Sequence, residues 1–293
     1  MALLTSTFLR RLALPLRSAS PRAYAALNAL RRRWMVRGRD LDAYQANALD
    51  RFQRHAQVSG ATILEVGSDG EKRVLRALRE AGAAHAWGVN PAREFFSEGE
   101  SRRETDGGRV VLHRADATEL PFADASIDHV FSIATFEHIA DLGAALRELH
   151  RVLVPGGLVY SHFGPIWSAG KGHHVVVEVD GERAWHGDPR QNPIPDYAHL
   201  LLDQAQLTAG LGGRCGEALC DAIGEFVFHD DYVNRLFHHH YRELFAASPF
   251  EVLHLDGERD AIAPQLEAVL SLAYPEEPNF DVTNVEVVLR KRC

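Results

Sequence analysis

The most constraining feature is the run Ile63-Leu64-Glu65-Val66-Gly67-Ser68-Asp69-Gly70, an apolar strand that empties into a glycine turn ahead of a helical pattern. Glycine after a strand lets the backbone approach a ligand closely, and the next helix offers unpaired amides. Taken alone, the run fits phosphate loops and dinucleotide folds as well. The rest of the chain narrows the choice. From residue 62 onward short β-rich runs alternate with helical stretches, the pattern of a parallel sheet flanked by helices. Strands are expected at 62–66, 86–89, 110–114, 127–133 and 158–163, with two more at 250–255 and 285–290. Helices are expected at 71–81, 142–152, 200–207, 217–223, 231–245 and 264–272. The fold class is therefore α/β, with a mostly parallel seven-stranded sheet.

The regular pattern breaks between residues 164 and 199, where Pro165, Gly170, Gly172, Gly181, Gly187, Pro189, Pro193 and Pro195 punctuate the chain. A stretch that long is either functional or disordered. Ile166, Trp167, Val175, Val177 and Trp185 within it argue for an ordered lid over an acceptor site. The expected organisation is thus a basic arm over 1–40, then one domain over 41–293 with the lid inserted after the fifth strand.

Charge is distributed unevenly along the chain. Its net charge is −8, which argues against a nucleic acid partner. Yet no Asp or Glu precedes Asp40, whereas nine arginines do, interleaved with Leu3, Leu4, Phe8, Leu9, Leu12, Leu14 and Leu16. Three readings of the arm stand: peripheral contact with an anionic membrane surface, a solvated helix capping the domain, or a mitochondrial transit segment. No run of about 18 uninterrupted apolar residues offers a membrane span. A cytoplasmic protein is expected, peripheral to the inner membrane surface in the first reading and in the mitochondrial matrix in the third. Cys215, Cys220 and Cys293 lack CxxC spacing and read as small buried hydrophobes, which fits a reducing compartment.

Three ordered motifs then carry a resemblance. The glycine turn is succeeded by Gly88-Val89-Asn90-Pro91, next by Asp116-Ala117-Thr118-Glu119-Leu120-Pro121-Phe122 running on to Asp128, and last by Phe136-Glu137-His138 and Arg151-Val152-Leu153-Val154-Pro155-Gly156-Gly157. The series resembles the class I S-adenosylmethionine-dependent methyltransferases, in the group that acts on quinones and small molecules, over about residues 62–164. The resemblance implies a Rossmann-like methyltransferase fold and S-adenosylmethionine as cofactor. It implies that Glu65, Gly67, Ser68 and Gly70 form the cofactor loop and that Asn90 meets the ribose. Asp116 would accept from the adenine amino group, with the Ala117 amide on a ring nitrogen and Ser132 beside them on the fourth strand. Asp69 and Glu71 stand where the family has glycine, and Asn90 where it has an acid. An acidic loop suits a sulfonium and an ammonium better than a pyrophosphate, which it would repel.

Methyl transfer asks the protein to orient both partners, exclude water and deprotonate the acceptor. Histidine titrates in the right range for the last task. The candidates are His138, at the carboxyl edge of the sheet, and His173 and His174 in the glycine-rich insertion. No metal is expected, because His238, His239 and His240 are consecutive on a helix and point in different directions. Three functions remain: O-methylation of a sugar hydroxyl on a glycan or glycosylated metabolite, methylation of a quinone-like or other small metabolite, and a cofactor-binding scaffold without catalysis. The acceptor partner is a small molecule or a glycan.

Overall fold

The computed structural model describes residues 41–292, so the basic arm and its membrane or targeting readings lie outside the described residues, as does Cys293. The apolar runs form a sheet: β1 (Thr62–Val66), β2 (His85–Val89), β3 (Arg102–Thr105), β4 (Val110–His113), β5 (Ile127–Ile133), β6 (Leu153–Phe163), β9 (Phe250–Arg259) and β10 (Val282–Lys291). Their spatial order is β3-β4-β2-β1-β5-β6-β10-β9. The five central strands run parallel, while β3, β10 and β9 are each antiparallel to their inner neighbour. Eight strands therefore stand where seven were expected. The extra one, β3, reads Arg-Arg-Glu-Thr and is polar because it lies at an open edge, with one ladder partner and water on its other side.

Alternation along the strands divides two cores. Ile63, Phe131 and Tyr160 face α1 (Ala43–His55) and α2 (Arg73–Glu80), where Leu49, Phe52, Leu75 and Leu78 are fully buried against them. The rings of Phe131 and Tyr160 stack at 5.7 Å, and Phe52 tilts onto both. Leu64, Val130 and Val159 face the opposite side, on α3 (Leu142–Val152) and α7 (His238–Ala247), with Leu146, Leu149, Tyr241 and Phe245. This is the period-two pattern of strands buried on both faces. Phe52→Ala in such a site costs about 3–5 kcal/mol. Helix α1 does not stand out as an apolar stripe in the sequence, although Asp42 and Gln45 form a reciprocal capping box that marks its start.

A third core belongs to the cover. The insertion folds into the hairpin β7 (Val176–Val179) and β8 (Glu182–Trp185), and then into α4 (Ala198–Leu201), α5 (Gln204–Leu211), α6 (Glu217–His229) and, from beyond β9, α8 (Pro264–Ala273). Trp167, Val175, Leu207, Ile223, Val227, Leu270 and Phe280 pack into one cluster across these elements. The cover is thus larger than the 164–199 lid. The helix expected at 200–207 is broken, because Asp203 caps a new helix through its own box with Gln206. Cys215, in the connection after α5, and Cys220, in α6, are joined as a disulfide, which corrects the expectation of unpaired buried thiols; a separation of five residues brings their Cα atoms to 6.0 Å. Among the described residues no helix is long and apolar enough to cross a membrane.

Candidate active site

β1 has β2 on one side and β5 on the other, so the chain leaves it in both directions and a crevice opens beyond the carboxyl ends of these strands. A cavity of about 610 Å³ lies there. Its floor comes from Val66, Gly67, Val89 and Asn90, one wall from Asp116, Ala117 and Thr118, and the other from Ala134, Thr135 and His138. Tyr232 and Asp231 close it from the cover.

Gly67 is required where it stands. Its φ is +84°, a region that disfavours side chains, and a Cβ there would come within 2.0 Å of the Thr135 hydroxyl oxygen. Bare backbone therefore forms the cavity floor at the turn. Asp116 is exposed on the wall; one carboxylate oxygen accepts from the Thr118 amide at 2.8 Å and hydroxyl at 2.7 Å, which fixes the carboxylate and leaves its second oxygen without a partner among the described residues. Asn90 lines the floor, but its side chain serves the loop. It donates to the Ser68 carbonyl at 3.0 Å and accepts from the Ala92 amide at 2.9 Å. Polar groups held this way present a fixed pattern to a ligand.

The other expected cofactor residues stand behind the lining. Ser132 is fully buried and donates to the Val66 carbonyl at 3.0 Å, so its hydroxyl ties β5 to β1 instead of facing the cavity. Ser68 is buried under Gly88. Gly70 makes room for the ring of Phe95, which does line the cavity. Glu65 is 3 % exposed; burial pushes its carboxyl up to about 8, against the opposing pull of the Ser68 hydroxyl. It shapes the turn from below as a neutral acid.

The three candidate histidines separate cleanly. His138 ends a short 3-10 turn, Phe136–His138, directly after β5, and lines the cavity. Its Nδ1 lies 2.7 Å from the Tyr232 carbonyl oxygen. A carbonyl only accepts, so Nδ1 carries the proton and Nε2, with no partner among the described residues, keeps a lone pair. Desolvation lowers its pKa, opposed by that hydrogen bond, so the ring stays neutral at pH 7. His173 and His174 do not line the cavity. His174 is buried behind His138, edge-on at 5.1 Å, and its Nε2 donates to the Pro165 carbonyl at 2.5 Å. His173 lies deeper, 1 % exposed, accepting the Val175 amide on Nδ1 and packing on His199. Burial lowers both, His174 to about 3, so they build the cover in their neutral forms.

Sequence reasoning missed Thr135, Phe95, Asp141 and Tyr232. The first has a signal, as the residue two past the end of β5. Tyr232 has none, because its segment reads as helix in the sequence and is irregular in the fold. Among the described residues no group of three or more His, Cys, Asp or Glu side chains is placed to hold a metal ion.

Residues 64–161 match the family model described as a methyltransferase domain. The chain is 33% identical to Methyltransferase GfsG of Streptomyces halstedii, over 36% of this chain and 38% of that protein. It is 34% identical to O-methyltransferase rstn1 of Aspergillus nomiae, over 36% and 47% respectively. It thus spans less than half the length of these curated relatives. A solved structure described as a putative S-adenosylmethionine dependent methyltransferase from Listeria monocytogenes superposes with a TM-score of 0.50 at 12% identity, covering 85% of this chain and 99% of that one, which is a likeness of fold.

Proposed function

We propose, from the premise that this chain carries a class I S-adenosylmethionine-dependent methyltransferase domain over residues 64–161, that it O-methylates a sugar hydroxyl of a glycan or glycosylated metabolite. The observation that carries the reading is His138: a neutral imidazole that lines the same cavity as Gly67 and Asp116 and whose Nε2 has no partner among the described residues.

The cavity fits the cofactor. About 610 Å³ is ample for a nucleoside with a side arm. The floor at Gly67 is a cradle that a Cβ would fill, and the free oxygen of Asp116 accepts from an exocyclic amine. Asp116, Asp141 and Asp231 make the lining acidic, which favours a sulfonium and an ammonium and repels phosphate. Bound there, S-adenosylmethionine supplies an electrophilic methyl carbon on sulfur. The chain's own residues do the rest. Backbone at Gly67 and the Asp116 carboxylate orient the nucleoside end. Tyr232 and His138, with rings 4.5 Å apart, form an aromatic wall on the acceptor side. Transfer would break the methyl carbon–sulfur bond and leave a neutral thioether as the acceptor oxygen takes the methyl group; the acceptor's proton would pass to His138 Nε2, and the imidazolium would be held through its Nδ1–H by the Tyr232 carbonyl. Such a base contributes about 10²–10⁴ in rate.

An aromatic wall beside carboxylates suits a polyhydroxylated acceptor, whose C–H face packs on rings while its hydroxyls donate to acids. A lipophilic quinone, the second reading, would have to pack against the carboxylates of Asp141 and Asp231 without donors to satisfy them. A scaffold without catalysis would have no use for a free imidazole lone pair in the cleft. The test is a panel of glycosides, hydroquinones and aglycones incubated with methyl-labelled cofactor and analysed by mass spectrometry. Label on a sugar oxygen is the expected result. Label on quinones alone overturns the acceptor class, and cofactor binding with no labelled product on any acceptor returns the protein to the scaffold reading.

A further inference from the structure

The segment between α6 and α7, residues 230–237, is an irregular strap that crosses the mouth of the cavity, and one of its side chains does far more than any other. Asn234 donates from Nδ2 to the Phe136 carbonyl at 2.8 Å and to the Ile139 carbonyl at 3.1 Å. Its backbone amide donates to the Glu137 carbonyl at 2.9 Å. Its Oδ1 accepts from the Tyr241 hydroxyl at 2.8 Å and from the Leu236 amide at 3.2 Å. These bonds enclose the 3-10 turn that bears His138: Phe136 and Glu137 precede the histidine and Ile139 comes after it. Two residues before Asn234 stands Tyr232, whose carbonyl accepts a hydrogen bond from His138 Nδ1–H and whose amide donates to the Asp230 carboxylate at 2.7 Å. The strap is tied from the other side as well, by Arg235 in the left-handed region at φ +54°, donating to the Asp230 and Val227 carbonyls.

We infer that Asn234 is a positioning residue for His138: by gripping the turn that carries the imidazole and the strap that carries the Tyr232 carbonyl, it holds the proton on Nδ1 and leaves Nε2 as the base. The inference rests on the reading of His138 as the proton acceptor, but its physical content is a tautomer, which is measurable without any acceptor molecule. The 2.7 Å bond joins two segments 94 residues apart in sequence. Only a residue bonded to both segments fixes their separation, and Asn234 bonds to both. Its amide is suited to this because the Nδ2 donors meet two carbonyls of the turn while Oδ1 meets the Tyr241 hydroxyl of α7 and the Leu236 amide of the strap. An aspartate of the same shape would turn lone pairs toward the Phe136 and Ile139 carbonyls.

The test is ¹⁵N NMR of the histidine side chains in the full chain, with the His138 signals assigned by their loss in His138→Gln. Wild type is expected to show a protonated Nδ1 and a lone-pair Nε2. In Asn234→Asp the tautomer ratio moves by about tenfold toward Nε2–H, the scale set by one hydrogen bond. Tyr241→Phe, which removes only the hydroxyl on Oδ1, moves it less in the same direction and serves if the aspartate variant does not fold. Leu207→Ala, in the buried core of the cover, is the control: it lowers the melting temperature while the His138 tautomer stays as in wild type. A wild-type tautomer retained in folded Asn234→Asp, or in Tyr241→Phe where the aspartate variant fails to fold, overturns the inference and leaves Asn234 a stabilising residue only. Wild type protonated on Nε2 overturns it as well. Loss of S-adenosylmethionine binding in wild type, by contrast, would strike the functional reading and leave the tautomer result intact.

Discussion

The sheet's carboxyl rim and the cover differ in which of their buried groups desolvation shifts most. Under the sheet's carboxyl rim they are the carboxyls of Glu65 and Glu137, both pushed up to about 8 by desolvation, beside His162, which is buried there and lowered. In the cover they are histidines, with burial lowering His174 to about 3, His199 to about 4 and His173 in the same direction. Each set is held in its neutral form, as burial demands. Between the sets stands His138, partly exposed in the cavity and with a free ring nitrogen. His173 and His199 also have a ring nitrogen without a partner, but theirs is buried, whereas His138 lines the cavity where the two halves meet.

The sharpest way to break the comparison is at the sheet's turn. Gly67→Val places a branched side chain in a left-handed conformation and against Thr135, so it is expected to abolish S-adenosylmethionine binding, an effect of at least about 100-fold for a cost of about 3 kcal/mol. Calorimetry on folded variant checks it, and binding within tenfold of wild type would show that the cradle is not where the ligand rests. Next in size, His138→Gln is expected to lower the transfer rate by about 10²–10⁴ with cofactor affinity unchanged, whereas His173→Gln, acting through packing, changes melting temperature more than turnover. Equal loss of rate in both would erase the distinction between chemical and structural histidines.

The opposite shifts also predict opposite responses to pH. For the histidines the folded pKa lies below the unfolded value of 6.5, so their stabilisation is complete above pH 6.5 and is lost as pH falls toward the folded values of about 3 to 4. For Glu65 and Glu137 the folded pKa lies above the unfolded 4.5, so their stabilisation is complete below pH 4.5 and fades as pH rises toward about 8. Hydrogen exchange should therefore show amides around His173 and His174 and in α4 losing protection between pH 6.5 and 4, while those of β1 and β5 hold or gain. Uniform loss across both halves would contradict the assignment. The smallest expected effect belongs to the disulfide: Cys215→Ser with Cys220→Ser opens a loop of only a few residues, costs about 2 kcal/mol, and should loosen α5 and α6 without touching cofactor affinity.

The two halves also differ in how far they are legible. β1, β5 and α3 can be read to the residue, because buried parallel strands are long apolar runs and a helix ending at Pro-Gly-Gly stops abruptly. The cover reads as irregular. One signal there does exist: Asp180-Gly181 between alternating Val176–Val179 and Glu182–Trp185 is a two-residue hairpin turn. The strap leaves no such mark. Residues 231–237 have helical composition, and what unwinds them is Asn234 taking carbonyls from a turn almost 100 residues away. For the same reason Gly67, Asn90, Asp116, Ala117 and His138 line the cavity, with the Asn90 side chain turned to its own loop, whereas Glu65, Ser68, Ser132, His173 and His174 fall one layer behind it. Motif position fixes the strand end, but which side chain turns inward is decided by partners far away in sequence.

The central claim is that the cleft beyond β1, β2 and β5 seats S-adenosylmethionine through Asp116. Isothermal titration of the cofactor into wild type and Asp116→Ala tests it most directly. The account predicts saturable one-to-one binding to wild type and an affinity about 10- to 100-fold weaker in the variant, the cost of one hydrogen bond to a charged acceptor. No heat of binding in wild type, or equal affinity in the two proteins, would contradict it.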